Sequence, residues 1–246
     1  MRVAALYDIH GNLPALEAVL DEVRHAGAHR VVVGGDVLPG PMPSETIALL
    51  RDLDLPVQFI QGNGDREVVG WRRGHESSVI PESYRETMRW VARQLHPDEE
   101  TLLAAWPATV TVQVDGLGEV LFCHATPRND TEIFTRQTAE ARLLPIFDGL
   151  NVVVCGHTHM QFDRMVGKTR VVNAGSVGMP FAEPGAYWLM LGPDIQLRHT
   201  PFNLANAADR IRATAYPQAD AFATRNVLQP PTERDMLDVF AQGELT

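Results

Sequence analysis

Apolar residues enter this chain in short bursts, each closed by a polar turn. The first burst is RVAALYD (2–8). In the next stretch, LPALEAVLDEVRHA (13–26), Leu13, Leu16, Val19, Leu20 and Val23 recur three or four residues apart and form one helical stripe. Asn12 is placed to cap that helix, and Pro14 suits its first turn. RVVVGGD (30–36) predicts a second strand, Pro43 to Leu53 a helix, and PVQFIQGN (56–63) a third strand. Short β runs alternating with helices predict parallel βαβ units.

The pattern then changes. Residues 66–106 read as mostly helical and carry Trp71, Trp90 and Trp106. Pro81-Glu82 and Pro97-Asp98-Glu99 each place proline and then acid at a helix start. This helical insert is suited to capping a pocket. TVTVQVDGLGEVLFCH (109–124) predicts a hairpin turning at Asp115 to Gly118. A helix near 136–147 follows, and then strands at NVVVCGH (151–157), RVVNAG (170–175), AYWLMLG (186–192) and IQLRHT (195–200). From Asn203 the period is helical again, through Leu204, Ala207, Ala208 and Ile211 and later Met236, Leu237 and Phe240. The expected organisation is one domain over 1–246, with a core of 1–200, an insert at about 66–106 and a C-terminal helical appendage at 201–246.

Composition narrows the setting. Of 246 residues, 45% are apolar and 21% charged, which is ordinary for a soluble globular protein. The net charge of −10 argues against binding along extended nucleic acid, yet leaves room for a small anion in a locally positive pocket. Both cysteines, Cys123 and Cys155, sit in apolar runs and read as packing, which suits a reducing compartment. The N-terminus has no signal-peptide core, and no apolar run approaches the ~20 residues of a membrane span. A cytoplasmic protein without a membrane partner is expected. Apolar positions on the tail leave a homodimer open.

The chemistry lies in five polar signatures, each after a strand-like run: Asp8-x-His10, Gly34-Gly35-Asp36, Gly62-Asn63-Gly64-Asp65, Cys123-His124 and Gly156-His157-Thr158-His159. In α/β sheets, strand ends converge on the ligand site. Residues two apart on extended backbone point the same way, so each of the pairs Asp8/His10 and His157/His159 can reach one ion. Singly, such motifs are turns or core histidines. Together they predict a shared metal site of carboxylates, imidazoles and an amide oxygen, suited to Mn, Fe, Zn, Co or Ni.

The order and spacing of these signatures resemble the calcineurin-like metallophosphoesterase superfamily over residues 8–159, and NAGSVGMP (173–180) is similar to the Gly-Ser loop of its bacterial members. The chain looks most like the small bacterial phosphodiesterase and diadenosine tetraphosphatase-like branch. The resemblance implies an α/β fold, a four-layer α/β/β/α sandwich of two mixed sheets flanked by helices. It places Asp8, His10, Asp36 and His159 on a first metal and Asp36, Asn63, His124 and His157 on a second, with Asp36 bridging. It implies hydrolysis of a small phosphate ester by in-line attack of a hydroxide shared by the two ions, with Asp36, Asn63 and His124 as the catalytic set. Dinucleoside polyphosphate hydrolase, phosphomonoesterase and protein phosphatase activities are the alternatives within enzymes. A retromer subunit uses this fold as a protein-binding scaffold and supplies the non-enzymatic alternative.

One position departs from the pattern. Gly64 stands where the superfamily places a histidine commonly assigned to leaving-group protonation. A good leaving group needs less acid help, so a phosphodiester or activated ester is favoured over monoesters. Arg128, Asn63 and Arg66 are the candidate substrate contacts, Arg128 as a phosphate clamp or else a surface ion pair. His75 is a substitute acid or a surface residue, and Arg72 and Arg73 read as a solvated helix face.

Overall fold

In the computed structural model, which describes residues 1–245, the strands form two five-stranded sheets. One sheet contains β1 (Val3–Leu6), β2 (Arg30–Val33), β3 (Val57–Phe59), β9 (Ala186–Leu191) and β10 (Ile195–Thr200), in the order β10-β9-β1-β2-β3. The other contains β4 (Thr109–Val114), β5 (Gly118–Cys123), β6 (Val152–Cys155), β7 (Phe162–Val166) and β8 (Thr169–Asn173), in the order β4-β5-β6-β8-β7. Both sheets are mixed. β1, β2 and β3 run parallel, as do β5, β6 and β8, while β9, β10, β4 and β7 pair antiparallel.

Period-two alternation builds the layers. Val3, Ala5 and Tyr7 face a core shared with Phe122, Val154 and Leu189 between the sheets. Ala4 and Leu6 face the opposite way, into a core with α1 (Leu13–His25) and α2 (Pro43–Arg51). On the far side, Cys123, Val153 and Cys155 pack against α6 (Glu140–Phe147). The result is the four-layer α/β/β/α sandwich. Tyr7 also ties the two sheets by donating its hydroxyl to the Val154 carbonyl at 3.0 Å.

The helix signals are borne out locally. Asn12 caps α1 by accepting from the Ala15 N–H, and Leu16, Val19, Leu20 and Val23 are buried. Between β3 and β4 lie α3 (Asn63–Arg72), α4 (Glu82–Gln94) and α5 (Pro97–Ala104), the last two starting at the expected prolines. The tail contributes α7 (Leu204–Arg212), α8 (Ala219–Phe222), a π-helical turn at Ala223–Leu228 and α9 (Glu233–Phe240). Ala207, Ala208, Ile211 and Phe222 join the core beside α1. No described helix is long and apolar enough to cross a membrane.

Two differences from the sequence reading have clear causes. The helix near 136–147 starts only at Glu140, because Thr135 and Thr138 close a turn first, the Thr135 N–H donating to Thr138 Oγ1. Strand β7, FDRMV, was not anticipated. It is an edge strand, and Asp163 and Arg164, exposed and half-buried, interrupt its apolar pattern.

Candidate metal centre

Every signature lies just past the C-terminal end of a strand. β1 leads to Asp8 and His10, β2 to Asp36, and β3 to Asn63 as the first residue of α3. β5 leads to His124, and β6 to His157 and His159. All seven predicted ligands are thus brought to one place, four from one sheet and three from the other.

The local backbone is not what the spacing suggested. Asp8, His10, Asp36, His157 and His159 all have positive φ, between 48° and 66°. Among the described residues, Leu245 alone shares that conformation without being glycine. The i, i+2 pairs therefore converge through left-handed turns, not along extended strands. Such conformations cost ~1–3 kcal/mol each and persist only where the surroundings enforce them. Here the loops enforce one another: the N–H of Asp8 donates to the Gly35 carbonyl at 3.1 Å, and that of His10 to the Asp36 carbonyl at 3.0 Å. Neighbouring glycines allow the close approach. A Cβ on Gly156 would lie 2.5 Å from Asp8 Oδ2.

Each of the four histidines turns one ring nitrogen to a backbone carbonyl. His124 Nδ1 lies 3.0 Å from the Gly34 carbonyl, His10 Nδ1 3.2 Å from the Pro39 carbonyl, and His159 Nδ1 2.7 Å from the Met179 carbonyl. His157 turns its Nε2 to the Thr131 carbonyl at 3.2 Å. A carbonyl only accepts, so each of these nitrogens carries a proton, and in the neutral ring the other presents a lone pair inward. Phe181 stacks on the His159 ring, with centroids 4.8 Å apart.

Inside, acceptors face acceptors. His10 Nε2 and His159 Nε2 lie 3.3 Å apart. The buried Asp8 Oδ1 has no hydrogen-bond donor and sits 3.4 Å from His159 Nε2 and 3.9 Å from His124 Nε2. Asp36 divides its oxygens, with Oδ2 3.8 Å from His10 Nε2 and Oδ1 3.5 Å from His124 Nε2. Asn63 Oδ1 lies 3.0 Å from both His124 Nε2 and His157 Nδ1 and 3.1 Å from the Asp130 carbonyl. Turned over, that amide donates an N–H to these atoms; with its oxygen inward, it adds a ligand to the donor set for a cation. Two groups meet the geometry for an ion, Asp8/His10/His159 and Asp8/Asp36/His124. An orphaned carboxylate oxygen and converging lone pairs are what divalent metal ions satisfy. The cluster is a candidate metal centre by that test.

The electrostatics call for positive charge among the carboxylates: burial lowers His124 and His159, but Asp8 and Asp36 outweigh it and raise both. Burial pushes the Asp8 carboxyl up, but His159, His124 and His10 outweigh burial and hold it well below the usual range. Burial, with His124 beside it, lowers His157 to about 4, leaving it neutral and free to ligate at pH 7.

The candidate substrate residues stand to one side. Arg66, Arg128, His124 and Thr126 line a cavity of about 340 Å³. Arg128 is paired with Glu132 at 2.7 Å and Arg66 with Asp130 at 2.7 Å, so the surface ion pair foreseen for Arg128 is present. Arg73 pairs with Glu100 on the surface, and His75 is exposed.

Two buried polar residues that hold the centre, Asp65 of the Gly62–Asp65 signature and Ser176 of NAGSVGMP, were given no role of their own from sequence. Asp65 accepts from the N–H groups of Leu38 and Gly62 at 2.9 and 3.0 Å, closing the turn that carries Asn63. Burial and the nearby Asp36 push its carboxyl up. Ser176 Oγ donates to the Asp8 carbonyl at 2.7 Å and accepts from the Met179 N–H at 2.8 Å. Ser176 thereby holds two loops that carry or orient Asp8 and His159. The sequence signal was there in NAGSVGMP, a polar turn after an apolar strand. Ser176→Ala should lower metal affinity ~10-fold or more. Titration of metal into metal-free protein would measure this, and unchanged affinity would exclude the role.

Comparison with known proteins follows the same lines. Residues 1–192 match the model of the calcineurin-like phosphoesterase superfamily domain. The chain is 27% identical to an uncharacterized protein of Methanocaldococcus jannaschii over 195 residues, 72% of this chain and 76% of that one. It is 25% identical to Phosphodiesterase YfcE of Escherichia coli over 206 residues, 79% of this chain and 89% of that one. Among solved structures, a hypothetical protein from Pyrococcus horikoshii superposes with a TM-score of 0.76 at 21% identity, covering 90% of this chain and 97% of that one. A metallophosphoesterase from Sphaerobacter thermophilus gives 0.71 at 23% identity, with 91% and 97% covered. These two likenesses establish the shared fold.

Proposed function

The chain belongs to the calcineurin-like phosphoesterase superfamily, and we propose that within it this protein is a two-metal hydrolase of a small phosphodiester or similarly activated phosphate ester. The observation that carries the reading is the set of four histidines whose outer N–H groups are engaged by carbonyls, so that their lone pairs surround two carboxylates. Asp8, His10, Asp36 and His159 would hold one ion, and Asp36, Asn63, His124 and His157 the other. The split of Asp36 between His10 and His124 supports its bridging role.

Bound there, two divalent ions supply Lewis acidity and a lowered pKa for water, which suits in-line attack at phosphorus. The protein's part is to position and neutralise. Asp8 and Asp36 offset the cations only in part, so a −10 chain still presents a positive spot to an anion. Arg66 and Arg128, at the edge of the neighbouring cavity, are placed to meet the remaining phosphate oxygens if they exchange partners with Asp130 and Glu132.

Gly64 supports the preference for diesters. Its N–H donates to Asp36 Oδ1 at 2.7 Å, and a Cβ there would overlap the Leu38 carbonyl. This position therefore holds the bridging carboxylate through its backbone and has no room for an acid. We expect Gly64→His to lose metal without gaining monoesterase activity. A rise in 4-nitrophenyl phosphate turnover in that variant would argue against this account. The Escherichia coli relative carries the name phosphodiesterase, which also supports this reading.

The direct test is to strip the protein of metal, restore it with Mn, Ni, Zn or Fe, and assay mono- and diesters side by side. Metal-dependent turnover with diesters ahead is expected. A protein that takes up no metal and turns nothing over would leave the binding-scaffold reading in its place.

A further inference from the structure

The metal cluster opens on two unlike cavities. One is the polar space of about 340 Å³ beside Arg66 and Arg128. The other, about 270 Å³, has His10, Asp36, Asn63, His157 and His159 among its walls and is closed by Ile80, Tyr84, Met88 and Met179. Resting on the phosphoesterase reading, we propose that this second cavity receives an uncharged apolar arm of the ester, aryl or nucleobase-like, and that Ile80, Tyr84 and Met88 select it.

Contiguity is the first argument. An ester whose phosphorus lies at the cluster finds room for an organic group in the spaces that open from it, and these apolar side chains bound one of them. Charge is the second. Among the described residues, no lysine or arginine lines this cavity, whereas Glu67 does. Glu67 is already paired with Arg66, 3.2 Å away. A second phosphate on this side would meet a carboxylate and no cation, at a cost that grows with desolvation. A polyphosphate chain is therefore disfavoured here, and a charged arm belongs on the Arg66/Arg128 side.

Preorganisation is the third argument. The Tyr84 hydroxyl is hydrogen-bonded to the Tyr216 hydroxyl at 3.1 Å. Tyr216 packs edge-on against Trp90 and Phe222, with centroids 5.6 and 6.0 Å away. Gln218 also donates to the Ser83 carbonyl. The C-terminal segment thus fixes the wall that α4 presents, and a fixed apolar wall beside convergent polar groups is the form of a ligand site. The two thioethers, Met88 and Met179, adapt readily to a planar ring.

The test uses phenylphosphonate and methylphosphonate, which share an anionic head and resist hydrolysis. Their affinities for Mn-loaded full-length protein are measured by calorimetry and by competitive inhibition of bis(4-nitrophenyl) phosphate hydrolysis. Phenylphosphonate should bind at least ~10-fold more tightly, from burial of the ring. Ile80→Asp and Tyr84→Ser should each narrow that gap to under ~3-fold, with melting temperature recorded to show that the variants fold. Equal binding of the two phosphonates by the unaltered protein overturns the proposal, as does a gap that survives in both variants, since the ring then lies elsewhere. In those cases metal-dependent diester hydrolysis persists and the phosphoesterase reading stands. Loss of that reading shows differently, as no metal-dependent hydrolysis and no phosphonate binding at all.

Discussion

Asp36→Asn should fold, lose at least one metal ion, and hydrolyse diesters at least ~100-fold more slowly. The two carboxylate oxygens of Asp36 face different histidines, His10 at 3.8 Å and His124 at 3.5 Å. An amide leaves one oxygen and turns a donor N–H toward one of those histidine lone pairs. The N–H of Gly64, which donates to Oδ1 at 2.7 Å, would then face either the remaining oxygen or another N–H. Both halves of the cluster are disturbed by one substitution. Metal content per chain and turnover on bis(4-nitrophenyl) phosphate should fall together. Undiminished turnover with less metal would rule out the bridging role proposed for Asp36.

Removal of metal should cost stability as well as activity. Five left-handed non-glycine residues surround the cluster, each holding ~1–3 kcal/mol of backbone strain. The Asp8 oxygen has no donor, and the inward lone pairs of His10 and His159 oppose each other. A ligand that binds only the folded chain at 1,000 times its Kd adds ~4 kcal/mol. For a chain of this length that corresponds to ~8–16 °C in Tm. Chelation should therefore lower Tm by about 10 °C, and added Mn or Zn should restore it. Equal melting curves with and without chelator would mean that the cluster is stable without ions and is not built around them.

Much of this centre was legible in the chain. The five signatures named the seven residues that converge, because strand ends in parallel sheets share an edge and the apolar runs located those strands. Less legible was how the residues converge. Spacing alone suggested extended pairs, and only the fold shows the left-handed turns at Asp8, His10, His157 and His159. The roles of the supporting residues were hidden for a related reason. Asp65 and Ser176 do their work through backbone groups of Gly62, Leu38 and Asp8, distant in sequence for Ser176 and ordinary in composition for both. Strand β7 was missed because an edge strand need not be apolar. The part of the apolar wall on α4, Tyr84 and Met88, could be anticipated as helical but not aimed, since its direction depends on Tyr216 more than a hundred residues later.

The division of the cluster between the two sheets has a further consequence. Asp8, His10, Asp36 and Asn63 travel with one sheet, while His124, His157 and His159 travel with the other. Bound ions would therefore rivet one sheet to the other. Any sliding of the sandwich layers would change ligand spacing, as a shifted hinge misaligns a lock. Tyr7 sits next to Asp8, and its hydroxyl spans the layers to the carbonyl of Val154, two residues before Gly156. The packing of the inter-sheet core is then a gauge of catalytic alignment, and changes in side-chain volume there should register as altered metal affinity before they register as unfolding.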